Sequence, residues 1–208
     1  PRDPDIVIVG AGSGGNFGSM VFYNNNPSSA RGVYRSTDGG RSWAHTLFVD
    51  ASSGVVDLVS DPAAPKTVLA SLTAADNDSQ AGPPIYRSDD GGITWRRLGA
   101  KNLPESAASA NIAVAPGTNV SRLYALAGRR DSRGLFRSDD GGASFTRMTS
   151  RLASARGHLY VHPTNPDVLY TMGTSMYRST DGGLTLNSIK GAPGVDDPTA
   201  LWIDPTNP

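Results

Sequence analysis

Four copies of one short segment constrain the fold of this chain more than any other feature of its sequence. The copies occupy residues 36–43, 88–95, 138–145 and 179–186, so their first serines are 52, 50 and 41 residues apart. An aromatic residue and an arginine precede each copy, and each copy contains Asp-Gly-Gly. Self-similarity at such a period indicates a propeller or a solenoid, in which every repeat is one supersecondary unit.

Each copy has the chemistry of a hairpin turn. Glycine reaches positive φ without a Cβ clash, so Asp-Gly between two alternating segments predicts two antiparallel strands joined by a tight turn. We expect the aspartate to accept hydrogen bonds from backbone N–H groups two or three residues later, and the ring that follows to be buried beside the turn. The residues predicted to build these turns are Ser36, Asp38, Gly40, Trp43, Ser88, Asp90, Gly92, Trp95, Ser138, Asp140, Gly142, Phe145, Ser179, Asp181 and Gly183, with Leu186 in the place of the fourth ring.

The segments between the turns predict short strands, four to a repeat. In the second repeat they lie at residues 55–60, 67–73, 85–88 and 94–98. Such a four-stranded antiparallel blade cannot bury both faces alone, so the blades must stack. We therefore predict that residues 1–208 form one all-β domain, a β-propeller with about four blades. Two forms stay open: a four-blade ring closed by an inner strand at 200–203, and part of a larger propeller.

The pattern Ser-x-Asp-x-Gly-x-Ser/Thr-Trp/Phe resembles the Asp-box, or BNR repeat, and its four copies extend this resemblance over nearly the whole chain. Proteins of this kind include sialidases, xyloglucanases and the luminal domain of sortilin-type receptors. In them the box is a structural turn on the outer hairpin of a blade, so the resemblance implies a fold and not a reaction. It also implies a secreted or extracytoplasmic protein with further blades in the parent protein.

Composition narrows the classes of partner. The 19 basic and 19 acidic residues balance, and no apolar run is long enough to cross a membrane, so we expect neither nucleic acid nor a membrane span. Cysteine is absent, which excludes disulfides and cysteine-based metal sites. His158 and His162 are four residues apart on a predicted strand, roughly 13 Å, which is too far for one shared ion. We expect no metal and no cofactor.

Residues 10–15 imitate a nucleotide-binding motif. Gly10, Gly12 and Gly15 fit G-x-G-x-x-G directly after an apolar strand, as in dinucleotide-binding folds. That fingerprint requires a helix next, but the following residues have no helical period and lead into the first box. We interpret the segment as a glycine-rich loop between blade strands, and rank a flavin or nicotinamide enzyme last among the alternatives.

Two kinds of loop meet at the end of the propeller opposite the boxes, and we expect ligands to bind there. One joins the second strand of a blade to the third, and the other joins the outer strand to the next inner strand. Arginine suits bidentate recognition of carboxylates, although a solvated rim of paired arginines and aspartates fits the same sequence. The candidate ligand-binding residues are Arg129, Arg130, Arg133, Arg151 and Arg156.

The predicted function is a non-catalytic recognition or assembly scaffold that binds a protein, a peptide or a glycan through this loop end. The alternative is a glycoside hydrolase module, xyloglucanase-like or sialidase-like, in which aspartates from two blades act as acid and base. The candidates for that chemistry are Asp76, Asp196 and Asp197, and no motif around them identifies a pair.

Overall fold

The chain folds into short antiparallel strands arranged as four separate sheets. A computed structural model describes residues 3–12, 27–74, 82–105, 107, 109–128, 130–149, 157–173, 175–189 and 200–204. The strands are β1 (Val7–Ala11), β2 (Gly32–Ser36), β3 (Ala44–Leu47), β4 (Val55–Ser60), β5 (Val68–Leu72), β6 (Ile85–Ser88), β7 (Arg96–Arg97), β8 (Ala110–Val114), β9 (Leu123–Ala127), β10 (Gly134–Ser138), β11 (Thr146–Thr149), β12 (His158–Val161), β13 (Leu169–Met172), β14 (Met176–Ser179) and β15 (Asn187–Ile189). One 3-10 turn, Arg130–Ser132, precedes β10.

The sheets are blades whose strand order follows the chain. Blade 1 contains β1 to β3, blade 2 contains β4 to β7, blade 3 contains β8 to β11, and blade 4 contains β12 to β15. All their pairings are antiparallel. The predicted all-β fold of antiparallel blades is therefore confirmed, and the described residues form four strands in each of three blades and three strands in the first.

Two details differ from the sequence prediction. The outer strand β7 contains only Arg96 and Arg97, and it begins two residues later than predicted because the N–H and hydroxyl of Thr94 donate to the Asp90 carboxylate. Residues 200–204 form no strand, so the inner strand predicted at 200–203 is wrong. A strand needs a neighbour to supply ladder hydrogen bonds, and among the described strands β1 pairs with β2 alone.

The blades stack face to face through alternate side chains of their strands. Val33 and Leu47 of blade 1 are buried against Ala70 and Leu72 of blade 2. Equivalent clusters join blade 2 to blade 3 and blade 3 to blade 4. Each large apolar side chain buried in this way contributes about 1.5–3 kcal/mol. Strand contacts run from β1 to β4, from β4 to β8 and from β8 to β12, so neighbouring blades follow chain order.

Every Asp-box has the same set of hydrogen bonds. The serine hydroxyl donates to one carboxylate oxygen of the aspartate at 2.7 Å, and accepts the N–H of the second glycine at 2.8–2.9 Å. The aspartate also accepts the N–H and the hydroxyl of the serine or threonine four residues later. The principal contact therefore lies four residues on, beyond the two or three that the sequence predicts.

The ring after the box is buried only where a preceding blade covers it. Phe145 is 2% exposed and lies in the cluster that joins blades 2 and 3. Trp95 packs on blade 1, where its Nε1 donates to Thr46 Oγ1 at 3.2 Å. Trp43 is 43% exposed, so the prediction that its ring is buried is wrong. The reason is its position in the first blade, where none of the described strands stands before it.

The hydroxyl and amide donors hold the box carboxylates in their charged form. The pKa values of Asp140 and Asp181 fall to about 2, mainly because the hydroxyls of Ser144 and Thr185 donate to them. The pKa values of Asp38 and Asp90 are lowered for the same reason. A carboxyl with a depressed pKa in the folded state stabilises the fold above its unfolded pKa, and this contribution is lost as the pH falls.

We therefore expect acid to weaken the boxes. As the pH falls from about 4 towards about 2, the urea midpoint of unfolding should drop, and Asp140→Asn should make this drop shallower. Asp131→Asn, an exposed aspartate outside the boxes, serves as the control. An unchanged slope in Asp140→Asn would show that this box carboxylate does not contribute to the acid dependence.

Two box glycines separate backbone strain from blade packing. Gly91 and Gly142 both have positive φ, at 76° and 94°. A Cβ added to Gly91 meets nothing within 4 Å, whereas one added to Gly142 would lie 2.5 Å from Leu98 Cδ1 and 2.9 Å from Leu123 Cδ1. Because the second glycine of the box has no side chain, Leu98 of blade 2 can pack directly against the turn of blade 3.

We expect Gly91→Ala to lower the free energy of unfolding by about 1–2 kcal/mol, the cost of a left-handed alanine. Gly142→Ala should cost about 1–3 kcal/mol more, because Leu98 must move. Urea unfolding of the two variants measures this difference. Equal losses would mean that the turn, and not the contact between blades, requires glycine at position 142.

Candidate functional site

The two ends of the blades differ: one end contains the Asp-box turns, and the other contains the loops that lead into the inner and third strands. At one end the boxes of blades 2 and 4 meet the turn that leaves the inner strand: Gly91 N donates to Lys66 O at 2.8 Å, and Gly182 N donates to Asp167 O at 2.9 Å. At the other end the loops into the inner and third strands meet, and Gly54 and Thr73 exchange hydrogen bonds there. The inner strands β4, β8 and β12 begin at this second end, which we call the loop end.

One carboxylate connects the inner strands near the loop end. Asp57, beside an irregularity in the pairing of β4, accepts the N–H of Ile112 from β8 at 3.0 Å and the N–H of Leu58 at 3.0 Å. The Asn111 side chain also hydrogen-bonds it, and the charge of His158 in β12 favours its ionised form. Three successive blades therefore contribute to the surroundings of one acid.

Burial raises the pKa of the Asp57 carboxyl, and the N–H groups of Ile112 and Leu58 oppose that rise. A half-buried acid with a raised pKa, placed where loops converge, is a functional-site candidate on physical grounds. Its two oxygens nevertheless already accept backbone N–H groups. Glycosidic hydrolysis uses two carboxyl groups, of which Asp57 supplies at most one. The contacts that we observe join blade 2 to blade 3.

Asp57 is the residue that the sequence analysis missed. Residues 55–60 read as an apolar inner strand, and the one acid within that run was the available signal. A charge in the middle of a strand packed between two blades requires hydrogen-bond partners. The partner, an N–H of the next inner strand, lies 55 residues away and cannot be read from local sequence.

The predicted arginine site is described only at one of its loops. Arg147 Nη2 donates to the carbonyl oxygens of Arg133 at 2.7 Å and Asp131 at 3.3 Å, which ties the loop before β10 to β11. Arg133 is half-buried, and its Nε has no hydrogen-bond partner among the described residues. The structure describes only the backbone of Arg130. Arg129, Arg151 and Arg156 lie outside the described residues, so the cluster of five stays a prediction.

The three candidate catalytic aspartates, Asp76, Asp196 and Asp197, also lie outside the described residues and stay predictions. Within the described ranges, no group of three or more His, Cys, Asp or Glu side chains is arranged to hold a metal ion. His162 has a local contact instead, since its Nδ1 accepts the N–H groups of Thr164 and Asn165. None of the helical structure in the described part of the chain is long and apolar enough to cross a membrane.

The glycine-rich segment after β1 does not continue as a dinucleotide site. The next described strand, β2, pairs with β1 in an antiparallel manner, whereas the nucleotide fold requires a parallel neighbour. A Cβ on Gly10 would lie 2.5 Å from Val55 Cγ1, and one on Gly12 would lie 2.3 Å from the Val55 carbonyl oxygen. These glycines let blade 1 approach blade 2. Gly15 lies outside the described residues.

Substitution of Asp57 separates its charge from its hydrogen bonds. Folding raises its pKa, so the contribution of Asp57 to stability should fall as the pH rises through that raised pKa. Asp57→Asn keeps an acceptor for Ile112 without a charge, and we expect it to be at least as stable as wild type at neutral pH. Asp57→Ala should cost about 1–3 kcal/mol, because buried N–H groups lose their acceptor. Urea unfolding from acidic to neutral pH measures both, and a loss in Asp57→Asn equal to that in Asp57→Ala would contradict the assignment.

Comparison with known proteins agrees with this architecture. The sequence profile of the BNR/Asp-box repeat matches residues 86–97, which include the second box. A xyloglucanase of Paenibacillus sp. is 36% identical over 118 residues, which cover 56% of this chain and 11% of that enzyme. Xyloglucanase Xgh74A of Acetivibrio thermocellus is 28% identical over 238 residues, covering 93% of this chain and 28% of the enzyme.

The solved structure of a GH74 enzyme from Niastella koreensis gives a TM-score of 0.59 at 21% identity, over 76% of this chain and 26% of that one. At this identity the likeness shows the fold alone. The chain spans between 11% and 28% of the length of the three proteins compared. The repeated hydrogen bonds of the four boxes, together with the profile match, show that the chain contains BNR/Asp-box repeats, on blades similar in fold to those of a GH74 enzyme.

Proposed function

We propose that this chain is a segment of the propeller of a glycoside hydrolase of the xyloglucanase kind, and that its loop end binds polysaccharide. The observation that carries the proposal is similarity to a xyloglucanase across 93% of the chain. Both sequence relatives described above are named as xyloglucanases. The comparisons therefore give no support to a scaffold without catalytic function, which the sequence analysis favours.

The geometry of the loop end supports the same proposal. The inner strands β4, β8 and β12 begin side by side there, and Asp57 with Asn111 joins two of them. A rigid scaffold that carries adjacent loops is the usual base of a binding site. A polysaccharide is too large to enter a cell, so this function also requires the secreted or extracytoplasmic location that the resemblance implies.

Asp76, Asp196 and Asp197 remain the proposed acid and base candidates of this segment. Each belongs to a loop assigned by the sequence to the loop end. Hydrolysis requires two carboxyl groups roughly 5–9 Å apart. The chain spans 28% of the length of the Acetivibrio thermocellus xyloglucanase. The rest of the parent protein can therefore supply the second carboxyl group.

Affinity electrophoresis in gels that contain xyloglucan, xylan or a β-glucan tests the proposal. We expect xyloglucan to retard the 208-residue chain more than the other two polymers do. In the parent protein, Asp76→Asn or Asp196→Asn should reduce the release of reducing ends from xyloglucan by two orders of magnitude or more while binding persists. No retardation by any of the three polymers would overturn the glycan assignment.

The same experiment separates a second candidate, recognition of a protein or peptide by the arginine loops. The observation in its favour is that Arg147 fixes the loop of residues 130–133 through two carbonyl oxygens. Arg133→Ala combined with Arg151→Ala should then abolish binding of a carboxylate-rich peptide, measured by fluorescence anisotropy, and leave retardation by xyloglucan unchanged. Loss of glycan retardation in that variant would assign the arginines to the polysaccharide site instead.

A further inference from the structure

The turn that follows the inner strand is one residue longer in blade 3 than in its neighbours. It contains eight residues in blade 3, 115–122, but seven in blade 2, 61–67, and seven in blade 4, 162–168. The next strand keeps the same register in all three blades, since its first paired residue faces the first serine of the box. The extra residue of blade 3 is therefore accommodated within the turn itself.

The longer turn removes a hydrogen bond that the other boxes make. In blades 1, 2 and 4 the N–H of the first box glycine donates to a carbonyl oxygen two residues before β1, β5 and β13. The pairs are Gly39 with Asp5 at 3.0 Å, Gly91 with Lys66 at 2.8 Å, and Gly182 with Asp167 at 2.9 Å. The equivalent residues of blade 3 are Gly141 and Ser121, and no hydrogen bond joins them. Within the described ranges the Gly141 N–H has no other partner.

A groove of about 460 Å³ opens at this turn, at the end of blade 3 that contains the box. Its volume lies in the range of sites that hold small molecules. The turns of blades 2 and 4 on either side of blade 3 are described, as is every residue that lines the groove. The lining consists of Gly117, Thr118, Asn119, Val120, Arg122 and Asp139.

Ion pairs hold the charged side chains of the groove and balance their charge. Arg122 donates from Nε to Asp139 at 2.6 Å and from Nη1 to Asp167 of blade 4 at 2.7 Å. Arg137 donates from Nε to the other carboxylate oxygen of Asp139 at 2.9 Å. The charges of the two arginines thus balance those of the two aspartates. The groove therefore offers no net charge that would attract an anion or a cation.

The remaining groups suit an uncharged ligand with many hydroxyls. The exposed Asn119 side chain has no hydrogen-bond partner among the described residues, and an amide both donates and accepts. Thr118 Oγ1 accepts the N–H of Arg122 at 3.2 Å and can still donate its proton. Asp139 is half exposed, and each carboxylate oxygen can accept more than one hydrogen bond. Val120, 53% exposed, adds an apolar surface beside these polar groups.

We propose that this groove binds an uncharged saccharide. Sugar hydroxyls donate and accept at once, as Asn119 and Asp139 require, and the C–H groups of the ring are apolar, as Val120 requires. The Gly141 N–H is an unpaired backbone donor next to Val120, since a Cβ on Gly141 would lie 3.7 Å from Val120 Cγ1. The site lies at the opposite end of the blades from the loop end, so it goes beyond the function proposed above and does not depend on it.

Titration of the isotope-labelled 208-residue chain with cellobiose and with xylobiose, followed by NMR, tests this proposal. We expect the backbone amide signal of Gly141 and the side-chain amide signals of Asn119 to shift and to saturate at millimolar sugar. The backbone amides of Gly91 and Gly182 are internal controls that should not shift, because they already donate to turn carbonyls. No saturable shift of Gly141 and Asn119 with either sugar would overturn the proposal.

Deletion of Asn119 gives blade 3 a turn of seven residues, as in blades 2 and 4. We expect it to restore the hydrogen bond from Gly141 to Ser121, close the groove and abolish the sugar-dependent shifts. A deletion variant with the wild-type urea midpoint that still binds either sugar would overturn the proposal.

Asn119→Ala tests the side chain without changing the length of the turn. Loss of the amide should weaken sugar binding about two- to tenfold. Lys66→Ala is the matched control, because Lys66 is an exposed residue of the equivalent turn in blade 2, and it should bind as wild type does. Wild-type affinity in Asn119→Ala would contradict the proposal even if the deletion disturbs folding.

The same spectra distinguish this site from an anion site and from the loop end. Citrate should leave Gly141 and Asn119 unshifted, and a larger shift with citrate than with cellobiose would overturn the assignment of an uncharged ligand. Shifts confined to Asn111 and Ile112 would overturn this site and leave the proposed function of the loop end intact. Shifts at Gly141 and Asn119 support this site whatever the result at the loop end.

Discussion

The hydrogen bonds around the box serine and aspartate hold the geometry on which blade stacking depends. Each bond contributes about 0.5–1.5 kcal/mol, so their importance lies in position more than in strength. By fixing the turn, the box of blade 2 places Trp95 over the outer strand of blade 1 and presents the Gly91 carbonyl oxygen to Arg35 of that blade. The second glycine leaves room for the neighbouring leucine, and one local motif thereby sets the spacing of a non-local interface.

The repeat pattern predicts the fold well because the box is local chemistry. β4 and β6 occur at the predicted residues, and each depends on alternation and on a turn within a few positions. The errors occur where the outcome depends on distant neighbours. Trp43 is exposed because no described strand stands before it, and residues 200–204 lack a partner strand. Single-sequence patterns describe what a blade can bury but not whether another blade is present to cover it.

The loop end was harder to predict than the end that contains the boxes, for a related reason. The box end repeats, so four copies reinforce one interpretation, whereas the loops at the other end differ from blade to blade. Asp57 became visible only when the structure placed β4 beside β8. Arginine and aspartate counts in loops identified residue types suited to binding, but no spacing rule indicates which of them converge. The function proposed above therefore depends on relatives and on strand arrangement.

The bond from Ile112 to Asp57 also affects how blade 3 meets other chains. Among the described strands the inner strand β8 pairs with β9 alone, so its other side presents backbone groups to which a foreign strand could pair. Ile112 N is one of these groups, and a carboxylate from the adjacent blade already occupies it. An incoming strand would have to displace the carboxylate oxygen that accepts this N–H, and Asp57 would keep only its hydrogen bonds with Leu58 and Asn111. The Asp57 side chain thus occupies one backbone donor on this edge of β8, so a foreign strand would find that donor already bonded.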